Sequence, residues 1–226
     1  TDCQDADRWE KEARGTTLRL QPEALPGFGL TYADLPFTEP YRLPSLLAAL
    51  HAARLLGLDD ETIRTRTRTF PGLPFRMAAF VDAHGRKIID NAVATHPDPT
   101  TAALNNLKGE VVLLAGGKDK GLSLSELIAT CAGCTRLYFY GEGGKRLAQG
   151  CREKGMTPNW SVHFEDSAKE ALQSIGNSEL LLFSPTFSSY DEFRNFRDRA
   201  ELFQSLCESF PVRKVETEGA QASNKN

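Results

Sequence analysis

The most informative part of the chain reads Val111-Val112-Leu113-Leu114-Ala115-Gly116-Gly117-Lys118-Asp119-Lys120-Gly121. Its first half is apolar without alternation, which is typical of a strand buried on both faces of a parallel sheet. The second half combines glycines, which let backbone amides approach an anion, with lysines that supply positive charge. Two interpretations of this loop stay open: an anion-binding turn at the end of a strand, or an ordinary charged turn that leads into a helix.

Shorter strand-like runs recur on both sides of this stretch, and helical patterns fall between most of them. The predicted strands are Met77 to Val81, Lys87 to Asp90, Val111 to Ala115, Arg136 to Tyr140, Ser161 to Phe164 and Leu180 to Phe183. Strands that alternate with helices of about ten residues predict an α/β fold, with a three-layer sheet of about six mostly parallel strands.

Short sequence patterns predict where several helices begin and which part of the last helix faces solvent. Asp98 followed by Pro99 is typical of an N-cap and a first helical residue. Three capping-box patterns predict further helix starts: Ser123-x-x-Glu126, Ser167-x-x-Glu170 and Ser189-x-x-Glu192. We interpret the charged run from Arg194 to Glu201 as the solvated face of the last helix.

Three of the predicted strands lead into loops of unusual composition, which span residues 90–97, 116–121 and 184–189. Because the carboxyl ends of parallel strands meet at one edge of a sheet, we expect these loops to converge on a ligand site there. Simpler interpretations stay open as well. His96 is consistent with a surface residue, and Ser188 or Ser189 with a helix N-cap.

The first 40 residues are rich in proline and glycine, in contrast to the regular alternation of the sheet region. Strand-like runs are predicted at Thr17 to Leu20 and at Phe28 to Tyr32. A helix that carries Leu46, Leu50 and Ala53 at helical spacing is predicted to follow.

That helix is predicted to end at Gly57, and Asp59 or Asp60 is predicted to cap a second short helix. The sequence Phe70-Pro71-Gly72-Leu73-Pro74 interrupts regular structure, and we place a domain boundary there. The predicted organisation is a first segment of residues 1–69, a domain of residues 70–210 and a disordered tail of residues 211–226.

Composition excludes several classes of protein. The 226 residues include 27 Lys+Arg and 30 Asp+Glu, a net charge of −3, so there is no basic excess that would indicate a nucleic-acid or anionic-membrane partner. No apolar run approaches the ~20 residues that a membrane-spanning helix needs. The first residues have neither the basic nor the apolar region of a signal peptide, which predicts a cytoplasmic protein.

The cysteines and the glycine-lysine pairs do not form familiar functional motifs. The five cysteines are irregularly spaced, and Cys131-x-x-Cys134 lacks the second ligand pair of a zinc site, so we interpret them as reduced structural thiols and predict no metal site. The sequence contains neither G-x-x-x-x-G-K-[ST] nor G-x-G-x-x-G. It therefore holds no recognisable loop for the phosphates of ATP.

Taken in order, the motifs resemble the C-terminal part of the Mur ligase family, and within it the members that add glutamate. The segments that carry the resemblance are Phe70-Pro71-Gly72-Leu73-Pro74-Phe75-Arg76 (G-L-P-H-R), Ala94-Thr95 with Ala102-Ala103-Leu104 (A-T followed by A-A-L), Gly116 to Gly121 (G-G-x-D-K-G), and Leu182 to Phe196 with Arg199 (S-P-x-x-x-S-x-D-x-F-x-x-F-x-x-R). The resemblance implies a Rossmann-like C-terminal domain preceded by the tail of an α/β central domain that binds ATP.

The resemblance also implies an activity. It is an ADP-forming ligation of glutamate to UDP-N-acetylmuramoyl-L-alanine through an acyl phosphate, in peptidoglycan precursor synthesis. ATP and Mg²⁺ would be bound mainly by a part of the protein that precedes this chain, so the chain alone is expected to be inactive. The small-molecule substrates would be the only partners, with a monomeric enzyme and no nucleic acid or membrane.

By position in the motifs, the resemblance assigns residues to both ligands. Glutamate would be held by Thr95, Lys120, Ser189, Tyr190 and Phe196. The ATP-facing residues would be Arg76, Asp90 and Asn91. The resemblance assigns no catalytic residue to this chain.

The chain departs from the family pattern where it would face ATP. Tyr41-Arg42-Leu43-Pro44-Ser45 replaces H-N-x-x-N, Phe75 replaces the histidine of G-L-P-H-R, and Asp90-Asn91-Ala92-Val93 replaces N-D-S-K. The resemblance favours a ligase that adds D-glutamate, and these departures leave two alternatives to it. One is a non-catalytic paralogue that acts as a binding module, and the other is a ligase for L-glutamate or another acidic substrate.

Overall fold

The computed structural model describes residue 14 and residues 22–37, 40–176 and 178–209. The chain divides into two compact units, Thr1–Gly72 and Leu73–Asn226. The strand predicted at Thr17 to Leu20 and the tail predicted for residues 211–226 lie outside the described residues.

The first unit is helical in the part that the structure describes. It contains 3-10 helices at Pro22–Phe28, Tyr32–Asp34 and Pro40–Arg42, and helices α1 (Leu43–Leu55) and α2 (Asp60–Arg68). Its buried core is formed by Leu25, Phe28, Leu30, Leu43, Leu47, Leu50 and Ile63.

Two of the helix signals in this unit are confirmed and one strand prediction is wrong. Gly57 follows α1 with a φ of 87°, a conformation that glycine adopts without strain. The Asp59 side chain accepts a hydrogen bond of 2.8 Å from the amide of Thr62 and so caps α2. The strand predicted from Phe28 to Tyr32 is instead the junction of two 3-10 helices, because Gly29 turns the chain at a φ of 65°.

The second unit is built on one six-stranded sheet, which confirms the predicted fold class. Its strands are β1 (Ala78–Val81), β2 (Lys87–Asp90), β3 (Val111–Gly116), β4 (Arg136–Tyr140), β5 (Asn159–Ser161) and β6 (Leu180–Thr186). Their order is β1-β2-β6-β3-β4-β5. Strand β1 pairs antiparallel with β2, and every other pairing is parallel.

Helices cover both faces of this sheet, as expected where a central strand such as β3 is buried at every position. They are α3 (Pro97–Asn106), α4 (Ser125–Cys131), α5 (Gly141–Glu153), α6 (Phe164–Ser174) and α7 (Phe196–Ser209). Alternate residues of β3 face opposite layers. Val112 and Leu114 pack in a core that contains residues of α6 and α7, whereas Leu113 and Ala115 pack in one that contains residues of α4 and α5.

The predicted helix starts are wrong at Asp98 and at Ser123. Helix α3 begins at Pro97, with His96 in the N-cap position, because proline fits the first helical position as readily there. Helix α4 begins two residues after Ser123, with Leu124 in the N-cap position.

The capping boxes at Ser167 and Ser189 are also wrong. Ser167 lies inside α6, and its hydroxyl donates to the carbonyl of Phe139 at 3.1 Å. No helix begins at Ser189, and Glu192 instead accepts a 2.9 Å hydrogen bond from the amide of Phe164 at the start of α6. Both side chains therefore form hydrogen bonds with residues far away in the sequence and not within a capping box.

Other predictions are corrected or confirmed in detail. The strand predicted from Ser161 to Phe164 lies earlier, at Asn159–Ser161, because Phe164 already begins α6. The described cysteines are free, and Cys131 and Cys151 are buried. Among the described residues, no helix has the length and apolar character required to cross a membrane.

Candidate functional site

The three polar strand-end loops converge at one edge of the sheet, as the sequence predicts. Strand β6 lies between β2 and β3, so the loops that follow these strands are neighbours. The amide of Thr186 donates to the carbonyl of Ala94 at 2.9 Å, and the amide of Lys118 donates to the carbonyl of Ser188 at 2.9 Å. Backbone hydrogen bonds thus join all three loops into one surface.

Lys120 and Thr95 meet on this surface. The Lys120 ammonium donates to the Thr95 carbonyl at 3.4 Å, and the Thr95 hydroxyl lies 3.3 Å from Nδ1 of His96. Both residues line a narrow cleft whose other walls include the apolar side chains of Pro97 and Phe187. The cleft is too narrow to admit a water molecule. Lys120 itself is exposed, so its charge is available to an anion at the surface beside the cleft.

Ser189 and Tyr190 follow directly after the bridge between Lys118 and Ser188. Ser189 is buried, and its carbonyl accepts hydrogen bonds from the amides of Glu192 and Phe193. The Tyr190 side chain is 68% exposed. The two neighbours therefore differ: one shapes a turn inside the protein, and the other presents a phenol to solvent.

Phe196 and Arg76 are both next to Phe75: the first contacts its ring, and the second follows it in the sequence. The ring of Phe196, the first residue of α7, meets the ring of Phe75 edge to face, with centroids 6.4 Å apart. The carbonyl of Phe75 accepts a hydrogen bond from the amide of Val93, which fixes this segment to the first loop. Arg76 is exposed.

Asp90 is a buried carboxyl group at the end of β2. It accepts hydrogen bonds from the amide of Ala92 at 2.9 Å and from the side chain of Gln204 at 3.1 Å. Burial outweighs these two hydrogen bonds and raises the pKa of Asp90 to about 6.

The raised pKa predicts how stability depends on pH. Because the pKa of Asp90 is higher in the folded protein than in the unfolded chain, the folded state binds the proton more tightly, and its stability falls as the pH rises from about 4 to about 6. A pKa raised from about 4 to about 6 corresponds to a difference of about 3 kcal/mol in unfolding free energy between low and high pH. Asp90→Asn removes the charge, so we expect it to stabilise the second unit at pH 8 and to flatten this dependence.

Urea unfolding at pH 4.5 and pH 8 measures this effect. Asp166→Asn, the same change at an exposed carboxylate of α6, is the control and should leave the dependence as in the wild type. A steep loss of stability with rising pH that persists in Asp90→Asn would contradict the assignment to Asp90.

Asn91 belongs to a buried network of hydroxyl groups. Its amide nitrogen donates to the Ser184 hydroxyl at 3.1 Å, and that hydroxyl lies 2.7 Å from the hydroxyl of Thr100. Thr186 donates to Thr100 at 2.9 Å and holds a φ of 71°, which is unfavourable for a β-branched residue. The network therefore fixes the ends of β2 and β6.

Arg199 was missed as a site-forming residue, and its assignment to a solvated face is wrong. It is fully buried, and its guanidinium donates to the carbonyls of Gly116 at 3.4 Å and Phe187 at 3.2 Å. It thus supports the second and third loops from beneath. The available signal was its position four residues before Phe203, which places it on the apolar face of α7.

The described residues contain no metal-ligand cluster, and two of the three predicted ATP-facing residues are buried. Among residues 22–37, 40–176 and 178–209, no group of three or more His, Cys, Asp or Glu side chains could hold a metal ion. Asp90 and Asn91 are buried and already hydrogen-bonded within the protein. Of the three predicted ATP-facing residues, Arg76 alone is exposed.

Comparison with known proteins gives one family and several relatives. The family model described as "Mur ligase, glutamate ligase domain" matches residues 75–187. The chain is 33% identical over 176 residues to the UDP-N-acetylmuramoylalanine–D-glutamate ligase of Halalkalibacterium halodurans. This alignment covers 77% of this chain and 39% of the relative. The chain is 31% identical to the ligase of the same name from Thermoanaerobacter sp. strain X514, over 73% of this chain and 37% of the relative.

Solved structures share the fold at lower identity. MurC, the UDP-N-acetylmuramate-alanine ligase of Thermotoga maritima, matches 76% of this chain and 39% of its own with a TM-score of 0.54 and 16% identity. Escherichia coli FolC in complex with ADP matches 72% of this chain and 39% of its own with a TM-score of 0.54 and 16% identity. The chain thus spans about two fifths of the length of these relatives.

Proposed function

Because the chain belongs to the Mur ligase family through its glutamate ligase domain, we propose that it is part of an ATP-dependent enzyme that joins glutamate to UDP-N-acetylmuramoyl-L-alanine. In the proposed reaction the substrate carboxylate is first phosphorylated. The amine of glutamate then attacks the acyl carbon, the C–N bond forms, the bond to the phosphate oxygen breaks, and the amine loses a proton. ATP and Mg²⁺ would be held mainly by other parts of the protein; ATP would supply the phosphoryl group and leave as ADP, and the phosphate would be released when the amide forms.

One observation carries the proposal: the ammonium of Lys120 and the backbone of Thr95 meet in a cleft with apolar walls at the carboxyl edge of the sheet. A dicarboxylic amino acid offers two carboxylates, which pair with cations and with polar groups held in fixed positions. In this proposal Lys120 and Thr95 hold glutamate, Ser189 shapes the neighbouring turn, and Tyr190 and Phe196 border the site.

Titration of the isotope-labelled chain with D-glutamate, followed by NMR, tests the binding site. We expect saturable shifts of the amides of Thr95, Lys120 and Ser189, with smaller shifts elsewhere. L-glutamate is the second arm, and a stronger response to it would favour the L-glutamate alternative. If neither amino acid shifts these amides at concentrations that saturate other glutamate-binding proteins, the proposed site is wrong.

The isolated chain is predicted not to hydrolyse ATP, because its sequence has no G-x-x-x-x-G-K-[ST] loop to hold the phosphates. Release of ADP is the measurement, and the expected rate equals that of buffer. The same chain joined to the N-terminal part of the Halalkalibacterium halodurans ligase should release ADP when glutamate and UDP-N-acetylmuramoyl-L-alanine are present. Turnover by the chain alone would contradict the prediction. An inactive joined protein whose fold is intact would favour the non-catalytic paralogue.

A further inference from the structure

The loop that carries Lys120 is held from the side by an arginine of α5, the helix that follows β4. Arg146 lies on α5, and its Nε atom is 2.6 Å from Oδ2 of Asp119. Its Nη2 atom donates to Oδ1 of Asp119 and to the carbonyl of Leu122, each at 2.8 Å. One guanidinium therefore holds both ends of the four-residue segment 119–122, and Lys120 lies between them.

Asp119 transmits this contact to the backbone beside Lys120. Its Oδ1 atom accepts a hydrogen bond of 3.0 Å from the amide of Gly121. Partial burial alone would raise the pKa of Asp119, but the hydrogen bonds from Arg146 and Gly121 outweigh it and hold the pKa below its usual value. The carboxylate is therefore charged at neutral pH, and the arginine, the aspartate and the turn form one connected unit.

Two glycines place α5 close enough for this contact. The amide of Gly143 donates to the carbonyl of Gly117 at 2.8 Å, so the first turn of the helix lies directly on the loop. A Cβ atom at Gly143 would lie 2.4 Å from the ring of Phe187, which only glycine avoids. Arg146 follows one turn later on the same helix and so reaches Asp119.

A purely stabilising role does not account for this arrangement. The Arg146 side chain is 40% exposed, and ion pairs at such sites contribute only about 0–1 kcal/mol to folding. The segment that it holds forms no part of a helix or strand, so its order depends on these few hydrogen bonds. Removal of Arg146 should therefore affect the position of Lys120 much more than the stability of the unit.

We propose that Arg146 is a positioning residue, which acts through Asp119 to hold the Lys120 ammonium at the Thr95 carbonyl and so sets the affinity for the carboxylate of the amino-acid substrate. This inference rests on the proposed function. It adds a residue that no motif in the sequence singles out, since Arg146 lies outside every segment that resembles the family pattern.

Arg146→Ala tests the proposal, with Arg152→Ala as the matched control. Arg152 lies on the same helix and donates to the carbonyl of Pro158 at 3.2 Å, away from the loop. In the NMR titration with D-glutamate we expect about tenfold weaker binding by Arg146→Ala, because a small misplacement of a charged group lowers its contribution steeply. Arg146→Lys should recover part of the affinity, and Arg152→Ala should bind as the wild type does.

Two further measurements separate positioning from stability. Hydrogen exchange of the Lys120 and Gly121 amides should be faster in Arg146→Ala and unchanged in Arg152→Ala, with global unfolding unaltered in both. Asp119→Asn combined with Arg146→Ala should bind no worse than either single variant, because the two residues act as one unit. Unchanged affinity and unchanged exchange in Arg146→Ala would overturn the proposal, as would additive effects of the two substitutions.

The test also separates failure of this inference from failure of the proposed function. If the wild-type chain responds to neither D- nor L-glutamate, the proposed function fails, and with it the substrate role of Arg146. Faster exchange in Arg146→Ala would then still support Arg146 as the residue that orders the loop. If the wild type binds and Arg146→Ala binds equally well, the function stands and this inference is wrong.

Discussion

Replacement of Gly117 by alanine is expected to lower the unfolding free energy of the second unit by about 3 kcal/mol and to separate the second loop from the third. A Cβ atom at this position would lie 2.3 Å from the carbonyl oxygen of Ser188 and 3.0 Å from a guanidinium nitrogen of the buried Arg199. The φ of 131° is itself unfavourable for alanine. Neither neighbour is free to move, because one is backbone and the other is fully buried.

Fluorescence of Trp160 during urea unfolding measures this loss. The chain has two tryptophans, so Trp9→Phe is included in every variant to leave Trp160 as the only reporter. Its indole donates to the carbonyl of Gly141 at 2.9 Å and therefore reports on the second unit.

Gly109→Ala is the matched control for Gly117→Ala. Gly109 has a φ of 95° but no atom within 4 Å of an added Cβ, so it should show only the smaller effect of backbone strain, about 1 kcal/mol. Equal effects of the two substitutions would show that the contact with Ser188 contributes nothing.

Lys120→Ala is expected to weaken glutamate binding roughly 10- to 100-fold, because a hydrogen bond to a charged group contributes about 1.5–3 kcal/mol and each 1.4 kcal/mol is a factor of ten. Its effect on folding should be small, since Lys120 is exposed and the hydrogen bond from its ammonium to the Thr95 carbonyl is long, at 3.4 Å. The dissociation constant comes from the NMR titration, and the KM for glutamate comes from the joined enzyme.

Lys118→Ala is the matched control for this change. Lys118 is an exposed lysine of the same loop, but it contributes its backbone amide to the bridge with Ser188, and alanine retains that amide. We expect Lys118→Ala to change the affinity for glutamate less than twofold at high salt. At low salt, the loss of one positive charge should weaken binding slightly, and added salt should screen this effect. If Lys118→Ala and Lys120→Ala weaken glutamate binding equally, binding depends only on the net charge of the loop. The assignment of a specific contact to Lys120 would then be wrong.

The architecture of the second unit can be predicted from the amino-acid sequence alone. Uninterrupted apolar runs such as Val111 to Ala115 identify strands that are buried on both faces, and regular alternation with helices predicts a mostly parallel sheet. Because the carboxyl ends of parallel strands lie at the same edge of the sheet, the convergence of the three polar loops can be predicted without knowledge of their contacts. These inferences succeed because they depend on periodicity and chain direction, which are local properties.

The roles of the individual polar side chains depend instead on tertiary contacts. Glu192 accepts a hydrogen bond at the start of α6, Arg199 donates to the loops, and Arg146 pairs with Asp119. Each of these partners lies far away in the sequence. A polar side chain that burial removes from water takes whichever partner packing brings within reach, and local spacing carries no record of that partner. The burial of Asp90, and with it the rise of its pKa, has the same origin, because α7 supplies Gln204 and closes over the end of β2.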